Sequence, residues 1–286
     1  MNHSDKLSAY RAQMSPYEFK RISEFVQTNF GIKLPDHKRI MVQGRLHKRL
    51  AALQMTSFSI YVHYLFSEEG MKEEIPVMVD LISTNKTNFF REAAHFNTLA
   101  DVVLKEFISS KNMNTFKIWS AGCSSGEEVY TLAMVINEFI DSHLKFHYKI
   151  WGTDISGRML EKASKAIYDT KDVENIPLFL KKKYLLKHKN KEIHKIRVVP
   201  ELRKKTEFSY LNFMDDDYKI TQIYDVIFCR NVLIYFEKNI QEAVLLKILK
   251  NLRLGGYLFL GHSESINDMN LPVKKITPTV FQKIKL

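Results

Sequence analysis

Four short stretches of this chain carry residues whose types and spacing can do chemistry. The first is Trp119-Ser-Ala-Gly-Cys-Ser-Ser-Gly-Glu-Glu128. An apolar run ends, small residues turn and a helix begins. Gly122 and Gly126 let backbone approach a ligand, and the new helix offers unpaired N–H groups. The turn matches neither the GxGxxG dinucleotide fingerprint nor the phosphate loop, and it lacks the lysine of a phosphate clamp. It closes instead on Glu127 and Glu128, which repel phosphate and suit an ammonium group. The same two acids also suit a plain helix start, through the macrodipole.

The second stretch, Gly152-Thr-Asp154-Ile, ends the next apolar run. An acid at that place can hold both hydroxyls of a ribose. The 28 positions from Gly126 to Asp154 fit one βαβ unit. The plainer alternative is that Asp154 or Ser156 caps the following helix. The third, Asp225-Val-Ile-Phe-Cys-Arg-Asn-Val-Leu-Ile-Tyr-Phe236, delivers Arg230, Asn231 and Tyr235 at the carboxyl end of a buried strand. Open α/β sheets bind ligands along that edge, although Asn231 and Tyr235 would equally satisfy backbone groups of a loop. The fourth, Thr84-Asn-Lys-Thr-Asn-Phe-Phe-Arg-Glu92, has the Thr/Asn content of turns and caps. Its two aromatics can also seat Arg91 beside a pocket.

The elements that position these residues fall into two groups. Before residue 115 the pattern is helical. Ser15-Pro16-Tyr17-Glu18 reads as an N-cap with proline at N1, and Phe19, Ile22, Phe25 and Val26 recur at helical spacing up to Gly31 and Pro35. A second helix is expected over Asp36–Leu53, with Ile40, Leu46, Leu50 and Leu53 on its apolar side. A third covers Ser57–Phe66, and Ser67–Ile75 reads as a linker or short helix. From Phe116 onward, strands alternate with helices: Phe116–Ser120, Tyr148–Gly152, Tyr224–Phe228 and Gly256–Leu260, with a last strand near Thr279–Ile284. That alternation predicts an α/β fold, a mostly parallel sheet with helices on both faces. Lys195–Val199 and Glu207–Leu211 read as a small antiparallel excursion. The expected domains are a helical 1–75 and an α/β 76–286, with the antiparallel insertion at about 190–211.

Composition narrows the setting. The chain of 286 residues has a formal charge of +11, which favours an anionic partner: nucleic acid, an anionic surface or an acidic protein. Residues 20–50 hold eight Lys/Arg against Glu24 and Asp36, and residues 181–205 hold eleven against Glu192 and Glu201. No run approaches the ~20 apolar residues of a membrane span, and the first residues lack the apolar core of a signal peptide. Two cysteines, Cys123 and Cys229, are too few for a disulfide framework or a cysteine-based zinc site. A cytoplasmic protein with reduced thiols is expected, and no residue is assigned to a metal.

Together the four stretches resemble the CheR-type chemotaxis receptor glutamate O-methyltransferases. The resemblance rests on TNKTNFFRE (84–92), WSAGCSSGEEVYTLAM (119–134), GTDIS (152–156), LNF (211–213), YDVIFCRNVLIYF (224–236) and GYLFLGHSES (256–265). Their order and the helical module in front extend it over nearly the whole chain. It implies a Rossmann-like class I S-adenosylmethionine-dependent methyltransferase sheet with a small antiparallel β-subdomain and an all-helical N-terminal domain. By the same resemblance Asn85, Thr87 and Arg91 line the cofactor pocket. Glu128 meets the methionine end, Asp154 the ribose, and Asn212 and Phe213 the adenine. Arg230 and Asn231 lie near the methionine side, and Arg91 and Tyr235 face the substrate carboxylate.

The implied reaction moves a methyl group from a sulfonium to a carboxylate, leaving S-adenosylhomocysteine and a glutamyl methyl ester. A glutamate with a reference pKa of about 4.3 is already ionised, so no general base is needed. The implied partners are the helical cytoplasmic domains of chemotaxis receptors. The basic helix near Asp36–Leu53, with Arg45, Lys48 and Arg49, is a candidate dock for their clustered glutamates. Nucleic acid and membrane insertion are not expected, and a monomer suffices. Relatives that hold a receptor tether carry a glycine-rich loop in the antiparallel excursion. Here the corresponding Lys187–His194 has no glycine, so no tether is expected. Two rival readings are a nucleic-acid methyltransferase, whose N/D-P-P-Y/F element is absent after the Tyr224 strand, and a non-catalytic cofactor-binding protein that docks receptors.

Overall fold

The computed structural model describes residues 8–110, 115–190 and 192–285. The chain divides into two compact units. One runs to Thr84 and takes in Tyr235–Glu237, and the other comprises Asn85–Ile234 and Lys238–Leu286.

Within the first unit, α1 (Pro16–Phe30) starts as the sequence predicts. Ser15 Oγ accepts from Glu18 N, Glu18 reaches back to Ser15 N, and Gly31 closes the helix at φ 70°. Phe19, Ile22 and Val26 are buried. A 3₁₀ turn, Asp36–Lys38, precedes α2 (Arg39–Ala52). Val42, Leu46 and Leu50 face the core, but Ile40 is 63% exposed, because at 3.6 residues per turn its place six residues before Leu46 puts it about 120° off that stripe. α3 spans Phe58–Leu65 behind a Ser57 cap.

The stretch expected to link the domains is the first half of a long helix, α4 (Glu68–Ile82), capped by Ser67 and containing Pro76. The expected boundary at 75/76 falls inside it. Proline in a helix interior costs about 3 kcal/mol in isolation. Here the buried faces of Ile75, Met78, Val79 and Ile82 hold the helix on. Fully buried Glu74 adds to this, since its carboxylate takes the Arg49 guanidinium at 2.6–2.9 Å and the Tyr61 hydroxyl at 2.9 Å. Arg45 Nη1 in turn donates to the last carbonyls of this region, Ile82 at 2.6 Å and Ser83 at 2.9 Å. Two of the three arginine and lysine residues expected to dock a partner are therefore committed inside the unit. Lys48 remains exposed.

The second unit opens with the short α5 (Ala94–Thr98), a π-helical turn (Leu99–Leu104) and α6 (Lys105–Ser109). Its sheet has seven strands in the order β6-β2-β1-β7-β8-β10-β9. These are β1 (Phe116–Ala121), β2 (Tyr148–Asp154), β6 (Thr206–Tyr210), β7 (Tyr224–Cys229), β8 (Leu252–Leu260), β9 (Val273–Thr277) and β10 (Val280–Lys283). The first five positions are parallel, and the β8-β10-β9 edge is antiparallel. Helices α7 (Glu127–Ser142), α8 (Gly157–Lys165), α9 (Leu178–Tyr184), α10 (Pro200–Arg203) and α11 (Lys238–Lys250) connect the strands.

The remaining strands, β3 (Ile167–Asp169), β4 (Leu185–Lys187) and β5 (Lys195–Val198), form a separate antiparallel sheet in the order β3-β5-β4. The insertion expected at about 190–211 therefore spans 167–198. Thr206–Tyr210 belongs instead to the main sheet, parallel to β2. The alternation Glu207, Ser209 against Thr206, Phe208 fits either sheet, since a strand's pattern reports a half-buried face and not its partner. Of the glycine-free loop, Lys191 lies outside the described residues.

Candidate functional site

β1 has β2 on one side and β7 on the other, so the chain leaves β1 in opposite directions on its two flanks. That is a topological switch point, the place where open α/β sheets bind ligands beyond their carboxyl ends. Registers Ala121↔Thr153 and Asp154↔Tyr210 bring the ends of β1, β2 and β6 to one level.

The turn after β1 is pinned to β2: Gly122 N and Cys123 N both donate to Thr153 O at 2.8 Å. Gly122 sits at φ 84° and Gly126 at φ 90°, which alone favours glycine. Close packing adds a second reason. A Cβ on Gly122 would meet Val232 Cγ2 at 2.3 Å, and one on Gly126 would meet Ala163 Cβ at 2.9 Å. Asp154 Oδ2 accepts from Ser124 N at 2.8 Å, and its Oδ1 accepts from Ser156 N at 2.9 Å. Ser156 itself caps α8, accepting from Met159 N. Asp154 thus braces both turns at the end of β2.

Glu128 stands one residue into α7. Its Oε1 accepts from Ser120 Oγ at 2.8 Å, and its Oε2 pairs with Arg230 Nη1 at 3.0 Å. The Arg230 side chain is 2% exposed and joins a second acid, with Nη2 3.0 Å from Glu92 Oε2. The same nitrogen donates to Arg91 O at 2.5 Å, and the guanidinium lies over Phe96. Its Nε is buried without a partner among the described residues, an orphan donor that suits the carboxylate of an amino-acid ligand.

Segment 85–92 is held from several sides. Ser124 Oγ donates to Asn85 O at 2.9 Å, Phe90 N donates to Thr131 Oγ1 at 3.2 Å, and buried Phe89 packs edge-on against Tyr168. Phe90 and Glu92 take left-handed φ of 56° and 57°, a bend that turns the chain sharply at Arg91. Arg91 is half-buried, with Nη1 on Lys86 O at 3.0 Å. Thr87 is half-buried on the same segment. Asn212 and Phe213 follow β6 and are buried, with Asn212 Oδ1 accepting from Met214 N.

The sequence reading missed two acids. Glu264 is 6% exposed, and its carboxylate accepts four backbone N–H groups: Asn231, Val232, Leu233 and Gly261, at 2.6–3.0 Å. It holds the loop after β7, including Asn231 at φ 58°. Burial pushes its carboxyl above the ordinary range, against the pull of those four donors. Glu92 is the other, bonded by Asn231 Nδ2 at 3.3 Å. Burial would raise its carboxyl, but the Arg230 charge and the Asn231 contact outweigh it and hold it below the usual range. Both acids lie within the quoted motif stretches, in FFRE and GHSES. A buried carboxylate facing a loop's N–H groups has no signature along the chain.

Tyr235 ends a 3₁₀ turn (Leu233–Tyr235) and groups with the helical unit, its hydroxyl 3.5 Å from Thr84 O. Asn85, Thr87, Arg91, Glu128, Asp154, Asn212, Phe213, Arg230 and Asn231 all lie in the α/β unit, where the Ser124 turn links Asn85 to Asp154 and the Arg230–Glu92 pair links Glu128, Arg91 and Asn231, while Tyr235 belongs to the other unit. A groove of about 360 Å³ near the amino-terminal halves of the strands, between Lys117, Trp151 and Tyr224, holds none of these residues. With one acid at the end of β2, another in the first turn of α7, a small-residue turn and no lysine clamp, the donor set fits a cationic nucleoside amino acid such as S-adenosylmethionine better than a phosphate ligand.

Comparisons with known proteins agree. Residues 85–281 match the profile of the CheR methyltransferase SAM-binding domain, and residues 17–83 match that of the CheR methyltransferase all-alpha domain. A chemotaxis protein methyltransferase of Borreliella burgdorferi is 36% identical, over 93% of this chain and 94% of that one. One from Escherichia coli is 34% identical, over 91% and 88%. Chemotaxis protein methyltransferase 2 of Pseudomonas aeruginosa is 35% identical, over 92% of each. Among the described residues, no helix is long and apolar enough to cross a membrane.

Proposed function

Because this chain belongs to the CheR methyltransferase family, we propose that it methylates glutamate side chains of chemotaxis receptors, using S-adenosylmethionine. The observation that carries the proposal is the Arg230 network. One buried guanidinium joins Glu128, Glu92 and the Arg91 carbonyl, so the cofactor acid and the substrate arginine are set by the same group.

When bound, the cofactor supplies an electrophilic methyl on a sulfonium. The chain's own residues supply geometry. Asp154 holds hydroxyls, Glu128 takes an ammonium, and Asn212 and Phe213 flank the base. Asn85, Thr87 and Asn231 close the pocket around the same ligand. Arg91, with its guanidinium already leaning on Lys86 O, grips one oxygen of the incoming carboxylate and aims the other. Methyl transfer then needs reacting atoms held about 3–3.5 Å apart and no proton abstraction. A grip too strong would blunt the nucleophile, so Arg91 orients and does not activate. Tyr235 is assigned to the substrate carboxylate on the family resemblance.

His95 is no candidate base. Burial, then the Arg230 charge, pushes its imidazole down to about 4, and its Nε2 lies 2.8 Å from Thr279 Oγ1. The reading places the enzyme in the cytoplasm as a monomer, with exposed basic residues such as Lys48 steering acidic receptor helices. The test is mass spectrometry of a receptor cytoplasmic fragment incubated with enzyme and cofactor. Methyl esters on its glutamates support the proposal, and methylation on any other residue type defeats it.

A further inference from the structure

Behind the Arg230–Glu92 pair lies a cluster whose two histidines the methyl-transfer reading does not use. Glu92, His95 and His262 each offer one ligand atom, and those atoms all lie within 4.8 Å of one another. His95, in α5, is 2% exposed, and its Nδ1 is buried with no hydrogen-bond partner among the described residues. That nitrogen is aimed at Glu92 Oε2, 3.5 Å away, and Oε2 also lacks an aligned hydrogen bond. His262, just past β8, puts Nε2 3.8 Å from the same oxygen.

The tautomer decides what this means. Nδ1 makes no aligned hydrogen bond to Glu92 Oε2, so the proton is placed on Nε2, which donates to Thr279 Oγ1, and the Nδ1 lone pair faces the carboxylate oxygen. Two buried acceptors facing each other repel, and a cation between them removes the conflict. Distances point the same way. Ligands on a tetrahedral ion at about 2.0–2.1 Å stand about 3.4 Å from one another. The two separations to Glu92 Oε2, 3.5 and 3.8 Å, already lie near that spacing, and the third, between the histidines, is within 4.8 Å and closes by rotation of the exposed His262 side chain.

We propose that His95 Nδ1, His262 Nε2 and Glu92 Oε2 form a mononuclear site for a borderline divalent transition ion of the zinc class, with water in the fourth position. Two imidazoles and a carboxylate suit Zn²⁺ or Co²⁺ and not Mg²⁺ or Ca²⁺, which favour all-oxygen sets. The exposed His262 side chain supplies the entry path. Arg230 Nη2, 3.0 Å from the same Oε2, shares the carboxylate. Its charge makes the site exchangeable and not structural. Occupancy draws Glu92 away from Arg230 and Asn231, so the ion acts as a brake on the cofactor pocket. The binding itself does not depend on which substrate is methylated.

The test is a CoCl₂ titration of the full, tag-free chain after chelator treatment, read by visible d–d absorption. A saturable signal from one ion per chain, displaced by ZnCl₂, is expected. His262→Ala, at an exposed position, should weaken binding at least about tenfold, the smaller cost of losing even an outer-sphere partner. His63→Ala, on α3, should leave it unchanged. No absorption at millimolar Co²⁺, or equal affinity in His262→Ala, overturns the proposal. Wild-type binding of S-adenosylhomocysteine should weaken when Zn²⁺ is added, and affinity unchanged by saturating Zn²⁺ removes the brake.

Discussion

Replacing Glu264 by glutamine alters one atom's hydrogen-bonding sense and almost no volume. The carboxylate receives Val232 N and Leu233 N on Oε1, and Asn231 N and Gly261 N on Oε2. A glutamine keeps one oxygen, so two of the four donors come to face an NH₂ group. Each buried donor left unpaired costs about 1–3 kcal/mol, giving about 2–6 kcal/mol in all. Removing a buried charge whose carboxyl is already pushed up by burial offsets part of this, so about 2–4 kcal/mol is expected. At about 2–4 °C per kcal/mol for a domain of this size, melting should fall by roughly 4–16 °C in scanning fluorimetry. Calorimetry should show weaker S-adenosylhomocysteine binding, because the released loop carries Asn231. A melting temperature and affinity equal to wild type would refute the view that Glu264 organises this loop.

Five other changes discriminate between roles. Arg91→Ala should keep S-adenosylhomocysteine affinity while turnover on receptor fragments falls on the order of 10²-fold; normal turnover would remove Arg91 from the reaction. Asp154→Ala should weaken cofactor binding about 10–100-fold, since hydrogen bonds to a charged group are worth about 1.5–3 kcal/mol, and calorimetry showing no change would end the ribose role. Arg49→Glu should destabilise the helical unit by about 3–5 kcal/mol by leaving buried Glu74 unpaired. Lys48→Glu should only slow methylation, and only at low salt; the reverse ranking in urea unfolding would contradict the internal role of Arg49. Burial raises the Glu127 carboxyl, so the fold binds that proton more tightly than the unfolded chain does. Stability should fall as pH rises from the ordinary carboxylate range through the raised value. Glu127→Gln should lose that dependence in paired urea titrations, and an unchanged pH profile would contradict it.

What the sequence disclosed depends on how local each signal is. The Ser15 capping box, the glycine turn after β1 and the strand-end Asp154 are written in a few neighbouring residues, and each appears where expected. Ser67–Ile75 reads as a linker or short helix because its acidic cluster and Gly70 are local signals, and only tertiary burial of Glu74 and Met78 carries α4 on through Pro76. Glu207–Leu211 reads as part of the antiparallel excursion, yet Thr206–Tyr210 pairs with β2 in the main sheet, because strand pairing is non-local. The basic face of α2 looked like a docking surface, yet Arg45 and Arg49 are spent on α4, which charge counting cannot reveal. Arg230 was picked out as a cofactor neighbour. Its work as the junction of two acids appears only once Glu92 and Glu128 are brought together.

The central claim is tested most directly by incubating the enzyme with methyl-labelled S-adenosylmethionine, offering receptor cytoplasmic fragments and RNA in parallel, and treating the products with mild base. The account predicts label on the receptor fragment alone, released by base as a carboxyl methyl ester releases it. Base-stable label, or label on the RNA, would contradict it.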